Sequence, residues 1–265
     1  MPRDSAPLPR VRIAGVPVDA VELDDALHII DSYIAEQQPH YNIAINASKV
    51  VAFHENPAMR RAIESADLLT ADGQPIVWAS SLFGRRLPGR ASGIDLMERL
   101  FAHAEHAGHS VFLLGATDAV LQKCIDRLLA NHPRLTIAGF RNGYFSSQEE
   151  PTIIAHIRCS KPDILFLGFG SPKKEYFMAE HVDRLNVPFV MGVGGAFDVY
   201  AGITSRAPTW MRRSGLEWLF RVLQEPKRMF RRYAVGNSKF IWIVGRLAIR
   251  NRVETIVQRL SATRK

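Results

Sequence analysis

The chain has 265 residues, 47% of them hydrophobic, which suits one large α/β domain with an extension. Its N-terminal stretch MPRDSAPLPRVRIAG has no apolar core of a secretory signal, and no segment reaches the roughly 18–20 apolar residues of a membrane-spanning helix. The net charge of +8 is lopsided: residues 201–265 hold 15 Lys and Arg against 3 Asp and Glu, and the first 200 hold 19 against 23. An anionic partner for the last quarter is therefore expected, whether nucleic acid, membrane surface or phosphate.

Residues 1–10, rich in Pro and Arg, read as disordered. Val11 to Asp19 reads as a strand-turn-strand hairpin. Leu23-Asp24-Asp25 opens an amphipathic helix with Ala26, Ile29, Ile30, Tyr33 and Ile34 at i, i+3, i+4 spacing. Asn42–Asn46 is a strand, Ser48 is the expected cap of a helix through Phe53, and Asn56-Pro57 starts another with Pro at its first position. Ala66–Ala71 is a strand ending at Asp72-Gly73. Pro75 opens a helix over Ile76–Phe83, and a basic loop, Arg85 to Arg90, follows. A helix runs from Ile94 to His106. His103, His106 and His109 near its end read as solvated, because no acidic residue stands at ligand spacing from them. Val111–Leu114 is a strand with a turn at Gly115, Asp118–Ala130 a helix, Leu135–Ala138 a strand, Arg141–Tyr144 a turn and Thr152–Arg158 a helix. Cys124 and Cys159 lack CxxC or Cys/His spacing and read as core thiols in a reducing compartment.

The most informative stretch is Leu165 to Asp198. It contains two short apolar runs, Ile164–Leu167 and Phe189–Met191, each broken by glycines: Gly168-Phe169-Gly170-Ser171-Pro172 and Gly192-Val193-Gly194-Gly195. Such runs suit strands buried on both faces, and the glycines bring bare backbone N–H groups to the strand ends. A helix starting after Pro172 adds a positive N-terminus that favours phosphate. The alternation of strand and helix predicts an α/β fold, a Rossmann-like, mainly parallel sheet with helices on both faces. Right-handed crossovers then bring Asn46, Asp72, Gly115, Gly168 and Gly192 to one rim.

Asp72 on that rim is open to two readings, a general base toward an acceptor hydroxyl or an N-cap for the helix at Pro75. Asp198 is a second rim carboxylate suited to a ribose or sugar hydroxyl, and Lys173, Lys174 and Arg90 are candidates for phosphate. No Asp-x-Asp pair, Walker A sequence, Gly-x-Gly-x-x-Gly fingerprint or Gly-x-Ser-x-Gly elbow is present. Beyond Asp198, Ala207–Arg221 and Pro226–Tyr233 mix aromatics with arginines. Phe240–Ile249 is an apolar helix that suits either the membrane interface or packing on the core.

Taken in order, several segments resemble the WecG/TagA/CpsF family of bacterial glycosyltransferases. They are the Asn46 strand end, Ala71-Asp72-Gly73 with Val77-Trp78-Ala79-Ser80, Gly115, Gly143-Tyr144-Phe145, Gly170–Glu175, Val193–Asp198, Arg206-Ala207-Pro208, Leu216–Arg221 and Pro226 to Tyr233. The resemblance implies inverting, metal-independent transfer from a UDP-sugar to a polyprenyl-diphosphate-linked saccharide, with no cofactor, on the cytoplasmic face of the membrane. It implies Asp72 as the base. Donor contacts would come from Asn46, Arg90, Gly115, Gly170, Pro172, Lys173, Lys174, Glu175, Gly194, Gly195 and Asp198. Arg221, Arg228 and Arg231 would meet the lipid diphosphate. The expected organisation is a core over 11–200 and a basic helical appendage over 201–265 that touches acceptor and anionic membrane; a homo-oligomer is allowed and nucleic acid is not expected. Two positions depart from the family's habit: Ala44 stands where it usually has Thr, and Lys174 where it usually has Gln. The competing readings are a nicotinamide-dependent oxidoreductase, which lacks its glycine fingerprint, and a basic nucleic-acid-binding module, which lacks a recognised motif.

Overall fold

The computed structural model describes residues 9–224 and 226–262, with the side chains of 213, 221, 227–235 and 254–262 outside the description. A two-stranded hairpin, β1 (Arg10–Ile13) and β2 (Val16–Asp19), turns on Ala14 and Gly15, both at positive φ. Arg10, expected in a disordered stretch, is instead in the strand, because its guanidinium donates twice to the buried Asp19 carboxylate (2.7 and 3.0 Å). Then follow α1 (Leu23–Glu36), β3 (His40–Ile45), α2 (Ala47–Glu55), α3 (Pro57–Glu64), β4 (Leu68–Ala71), α4 (Gln74–Leu82) and α5 (Gly93–Ala107). Next come β5 (Ser110–Gly115), α6 (Asp118–Asn131), β6 (Thr136–Arg141), α7 (Glu150–Ser160), β7 (Ile164–Gly168), α8 (Lys173–Leu185), β8 (Phe189–Gly192) and α9 (Ala196–Tyr200). The appendage comprises α10 (Thr209–Arg213), α11 (Glu217–Gln224) and α12 (Pro226–Ala262).

β3 to β8 form one six-stranded sheet in the order β4-β3-β8-β7-β5-β6, parallel at every pairing. β7 and β8 are buried along nearly their whole length, as glycine-bounded apolar runs should be. Two cores flank the sheet. One gathers residues of α2, α3, α7, α8 and α12 (Val50, Phe53, Ile63, Ile157, Phe177, Phe240, Val244), the other residues of α1, α5, α6 and α9 (Ile30, Leu100, Phe101, Leu121, Phe197). Phe101, Phe112, Phe166, Phe189 and Phe197 are fully buried, and truncating any one to Ala costs about 3–5 kcal/mol.

Three local expectations change. Asn46, not Ser48, caps α2: its Oδ1 accepts from the Lys49 N–H, because the chain leaves the strand at 46 and is already helical at 47. β6 runs on to Arg141 instead of ending at Ala138, paired with β5 as far as Leu114. Cys124 is buried and its thiol is pushed up to about 12 by desolvation, but Cys159 is exposed, on the solvent face of α7 and not in the core. The apolar Phe240–Ile249 segment is part of a 37-residue helix. None of the described helices is long and apolar enough to cross a membrane.

Candidate active site

β3 and β8 are neighbours in the sheet, yet the helix leaving β3, α2, packs on one face and the helix leaving β8, α9, on the other. Connections that diverge in this way open a crevice at the carboxyl ends of the two strands, the usual ligand position in an open parallel sheet. Asn46 follows β3, the Gly192–Asp198 turn follows β8, and Asp72 follows β4, the strand paired with β3. The expected convergence of strand ends on one rim is therefore observed.

Asp72 does not cap α4. The capping position is Gly73, at φ 105°, and no side chain caps that helix. The Asp72 N–H donates to the Ile45 carbonyl at 2.8 Å, and its half-buried carboxylate lies 3.5 Å from Asn46 Nδ2. Asn46 thus uses its oxygen to start α2 and its amide to face Asp72, which fixes the carboxylate beside the crevice. Of the two readings left open for Asp72, the helix cap is removed.

Below the rim lies a cluster of buried charge. Glu175, fully buried in the first turn of α8, has Lys49 Nζ at 3.2 Å and Lys174 Nζ at 3.5 Å from the same oxygen. Lys49 also donates to the Ala44 carbonyl at 2.6 Å. Burial opposes ionisation of Glu175, but Lys49 and Lys174 outweigh it and hold the carboxyl below its ordinary range. Lys174 moves the other way. Desolvation, then repulsion from Lys49, outweighs the attraction of Glu175 and Asp72 and lowers its amine to about 8. Its Nζ lies against the Gly194 turn, where an added Cβ would come within 3.3 Å, and its Cδ would meet one on Gly192 at 2.9 Å. Only glycines leave room for this lysine to reach the crevice. Lys49 escaped sequence reasoning, although its place four residues before buried Phe53 puts it on the apolar side of α2.

The other predicted residues sort by what they touch. Gly170 is exposed with open space over it, and with cis-linked Pro172 it leads into α8 at Lys173, so the helix N-terminus faces the rim. Lys173 Nζ sits 4.0 Å above the Phe145 ring. Gly195 caps α9, and Asp198, half-buried in its first turn, takes the Ile203 and Thr204 N–H groups on its backbone carbonyl. Gly115 is a packing glycine: any side chain there would strike the Gly168 backbone, one on Gly168 would strike the Phe197 ring, and one on Gly143 would reach Gly115 at 2.9 Å. Arg90 is held by Glu217 (3.4 Å) and Asp95 (4.0 Å). Arg206 and Arg212 join the same Asp95, so this network ties the appendage to α5. Burial opposes ionisation of Asp95, but Arg206, Ser92 and Arg90 outweigh it and keep its carboxyl low. Gly215 of the appendage seats against Gln74 and Trp78 of α4. The side chain of Arg221 on α11, and those of Arg228 and Arg231 on α12, lie outside the described residues.

On α12, Phe240, Ile243 and Val244 are buried in the core shared with α2, and Lys239 pairs with Glu55 at 2.7 Å. The opposite side carries Trp242, Arg246, Ile249 and Val253 at i, i+4, i+7 and i+11, with the three apolar residues more than half exposed and Arg246 stacked over the Trp242 ring. The packing reading of this helix is met on one face, and on the other a cationic-apolar stripe stays open.

The sequence matches the model of the Glycosyl transferase WecG/TagA/CpsF family over residues 11–254, which takes in the sheet, the rim and most of the appendage. It is 31% identical over 208 residues to the N-acetylglucosaminyldiphosphoundecaprenol N-acetyl-beta-D-mannosaminyltransferase of Bacillus spizizenii, an alignment covering 78% of this chain and 80% of that protein. The parallel sheet, the carboxylate beside its crevice and this match over nearly the full length lead to one assignment: the chain belongs to the WecG/TagA/CpsF family and is a glycosyltransferase.

Proposed function

We propose that the chain transfers a sugar from a UDP-sugar to a polyprenyl-diphosphate-linked saccharide, with inversion and without a metal ion, in the synthesis of a cell-surface polysaccharide. The observation that carries this reading is Asp72, a carboxylate that caps no helix, steadied by Asn46 beside the crevice between β3 and β8. In the proposed single displacement Asp72 takes the proton of the acceptor hydroxyl. The hydroxyl oxygen forms a bond to the anomeric carbon from the face opposite the diphosphate. The bond from that carbon to the diphosphate oxygen breaks, and UDP leaves with its electron pair. The N-terminus of α8, the backbone N–H groups of Gly170 and Gly195, and the ammonium groups of Lys173 and Lys174 take up the growing negative charge; the Val193 and Gly194 N–H groups are already given to the Leu167 carbonyl. This donor set replaces the Asp-x-Asp pair that the sequence lacks. Asp198 is assigned to a hydroxyl of the donor. Arg90 reaches the diphosphate by exchanging Glu217 for it.

The acceptor half falls to the appendage. Arg221, Arg228 and Arg231 are assigned to the lipid diphosphate, and the Trp242–Val253 stripe to the anionic inner face of the membrane. The Bacillus relative's name makes a lipid-linked N-acetylglucosamine the first acceptor to try and N-acetylmannosamine the first donor sugar. Lys174, a cation where the family usually has Gln, favours a donor with a further negative charge, so the uronic acid form is the second. The test is transfer from each UDP-sugar to a lipid-linked N-acetylglucosamine in detergent, with inverted linkage read by NMR and with EDTA present. Turnover unchanged by EDTA is expected; loss of turnover restored by magnesium or manganese would end the metal-free reading, and no transfer from any UDP-sugar would end the donor assignment.

A further inference from the structure

The edge of the sheet opposite the crevice carries a second constellation. α1 ends at Glu36 ahead of β3, and α5 ends at Ala107 ahead of β5, so the last turns of both helices lie where the strands begin. There Asp31 of α1 meets His103 of α5 and His109 in the turn that follows. Asp31 Oδ1 is 2.6 Å from His103 Nε2 and 3.8 Å from His109 Nε2. One ligand atom from each of the three lies within 4.8 Å of the others. The two imidazoles therefore aim the same nitrogen at one carboxylate oxygen. His103 and His109 were read as solvated because no acidic residue stands at ligand spacing from them in sequence; the fold supplies one from 72 residues upstream of His103.

We infer that Asp31, His103 and His109 bind one divalent transition-metal ion of the zinc class. Two imidazoles and a carboxylate are a hard-to-borderline donor set that suits zinc, cobalt and nickel over calcium or magnesium. Metal–ligand bonds of about 2.0–2.2 Å place tetrahedral ligand atoms roughly 3.4 Å apart. The two distances to Asp31 bracket that spacing, and the separation between the two imidazoles, within 4.8 Å, closes to it by at most roughly 1.4 Å shared between two side chains. All three side chains are partly exposed, so an ion enters without opening the core, and the fourth position is left to water. The site does no transfer chemistry at this edge. It fastens α1 to α5, the helix whose other end carries Ser92, Asp95 and the network that holds the appendage.

The test uses the full-length, tag-free chain dialysed against EDTA. Zinc alone is titrated with the melting temperature and bound metal per chain as readouts, and cobalt is used for its visible absorption. One zinc per chain is expected, with a rise in melting temperature of roughly 5 °C at a hundredfold excess over the dissociation constant. D31N, H103Q and H109Q, checked for fold by circular dichroism, should each weaken binding at least about tenfold, and H106Q, at an exposed neighbour, should bind as the parent does. Sugar transfer should be equal with and without zinc. Absence of stoichiometric binding by the parent chain, or equal binding by the three variants and the parent, would overturn the site and show a hydrogen-bonded cluster only. Neither result bears on the crevice.

Discussion

Two clusters of buried charge sit at opposite edges of the sheet, and they are built differently. Where the strands begin, each charge has its own neutral or opposite partner: Asp19 accepts twice from Arg10 and once from the Leu69 N–H, and Asp67 accepts from the Tyr41 N–H and lies 3.2 Å from His40. Where the strands end, two ammonium groups, Lys49 and Lys174, share a single oxygen of Glu175, and repulsion between them contributes to lowering Lys174 to about 8. The first cluster joins the hairpin, β3 and β4 through groups of opposite charge. The second keeps a cation under strain of desolvation next to a glycine turn, an arrangement that an incoming anion relieves.

The sharpest way to break this contrast is at Asp72, the carboxylate that belongs to neither cluster. Asp72→Asn should lower the transfer rate by about 10²–10⁴-fold, with the melting temperature within about 1 °C of the parent. A variant retaining a tenth of the parent rate would remove Asp72 as the base. Next in size are the cluster carboxylates themselves. Glu175→Gln leaves buried Lys49 and half-buried Lys174 without their shared anion and should cost on the order of 3 kcal/mol in urea unfolding, together with weakened UDP binding. Asp19→Asn should cost about as much stability by breaking a buried pair, but UDP binding by calorimetry should stay within twofold. If both variants lost UDP affinity equally, the two edges would not differ in the way described.

Lys174→Gln gives a smaller effect with a defined sign. The amine titrates near 8 in the folded chain and at 10.5 when unfolded, so between those values the unfolded chain holds more protons. Stability of the parent should therefore rise relative to the variant as pH climbs from 8 to 10.5, and the variant should be the more stable at pH 7. The donor KM of the parent should increase several-fold above pH 8 as the cation is lost, and the variant's should stay flat across that range. A pH-independent donor KM in the parent would detach Lys174 from the donor. The mildest change is expected from Trp242→Glu with Ile249→Glu on the open side of α12. Sedimentation with anionic vesicles should fall about tenfold, with transfer to a short-chain acceptor in detergent within twofold. Undiminished pelleting would move the membrane contact elsewhere.

The parallel sheet was legible in the sequence because each strand is a short apolar run closed by glycine or by a polar residue before a helix. Asp72 was legible because a strand end is a local signal. What the sequence hid were contacts set by topology. Lys49 and Glu175 are 126 positions apart and meet only because β3 and β8 pair, and Asp31 reaches His103 only because α1 packs on α5. Arg10 went into the disordered segment because Pro and Arg dominate its neighbourhood, whereas its partner Asp19 is fixed by the hairpin register. Cys159 was placed in the core because it lies in a helical segment without CxxC or Cys/His spacing, but Ile153, Ile154 and Ile157 take the inner face and leave position 159 outside.

The stacked glycines at the rim carry a consequence for how this chain would look under saturation mutagenesis. Gly143, Gly115 and Gly168 lie backbone to backbone and end against the Phe197 ring, so a methyl group on any of them displaces a strand end, not a ligand. A screen that selects only for polysaccharide would score all three as intolerant, indistinguishable from Asp72. A parallel screen for protein abundance would separate them: glycine variants should vanish from both, and Asp72 variants from the first alone.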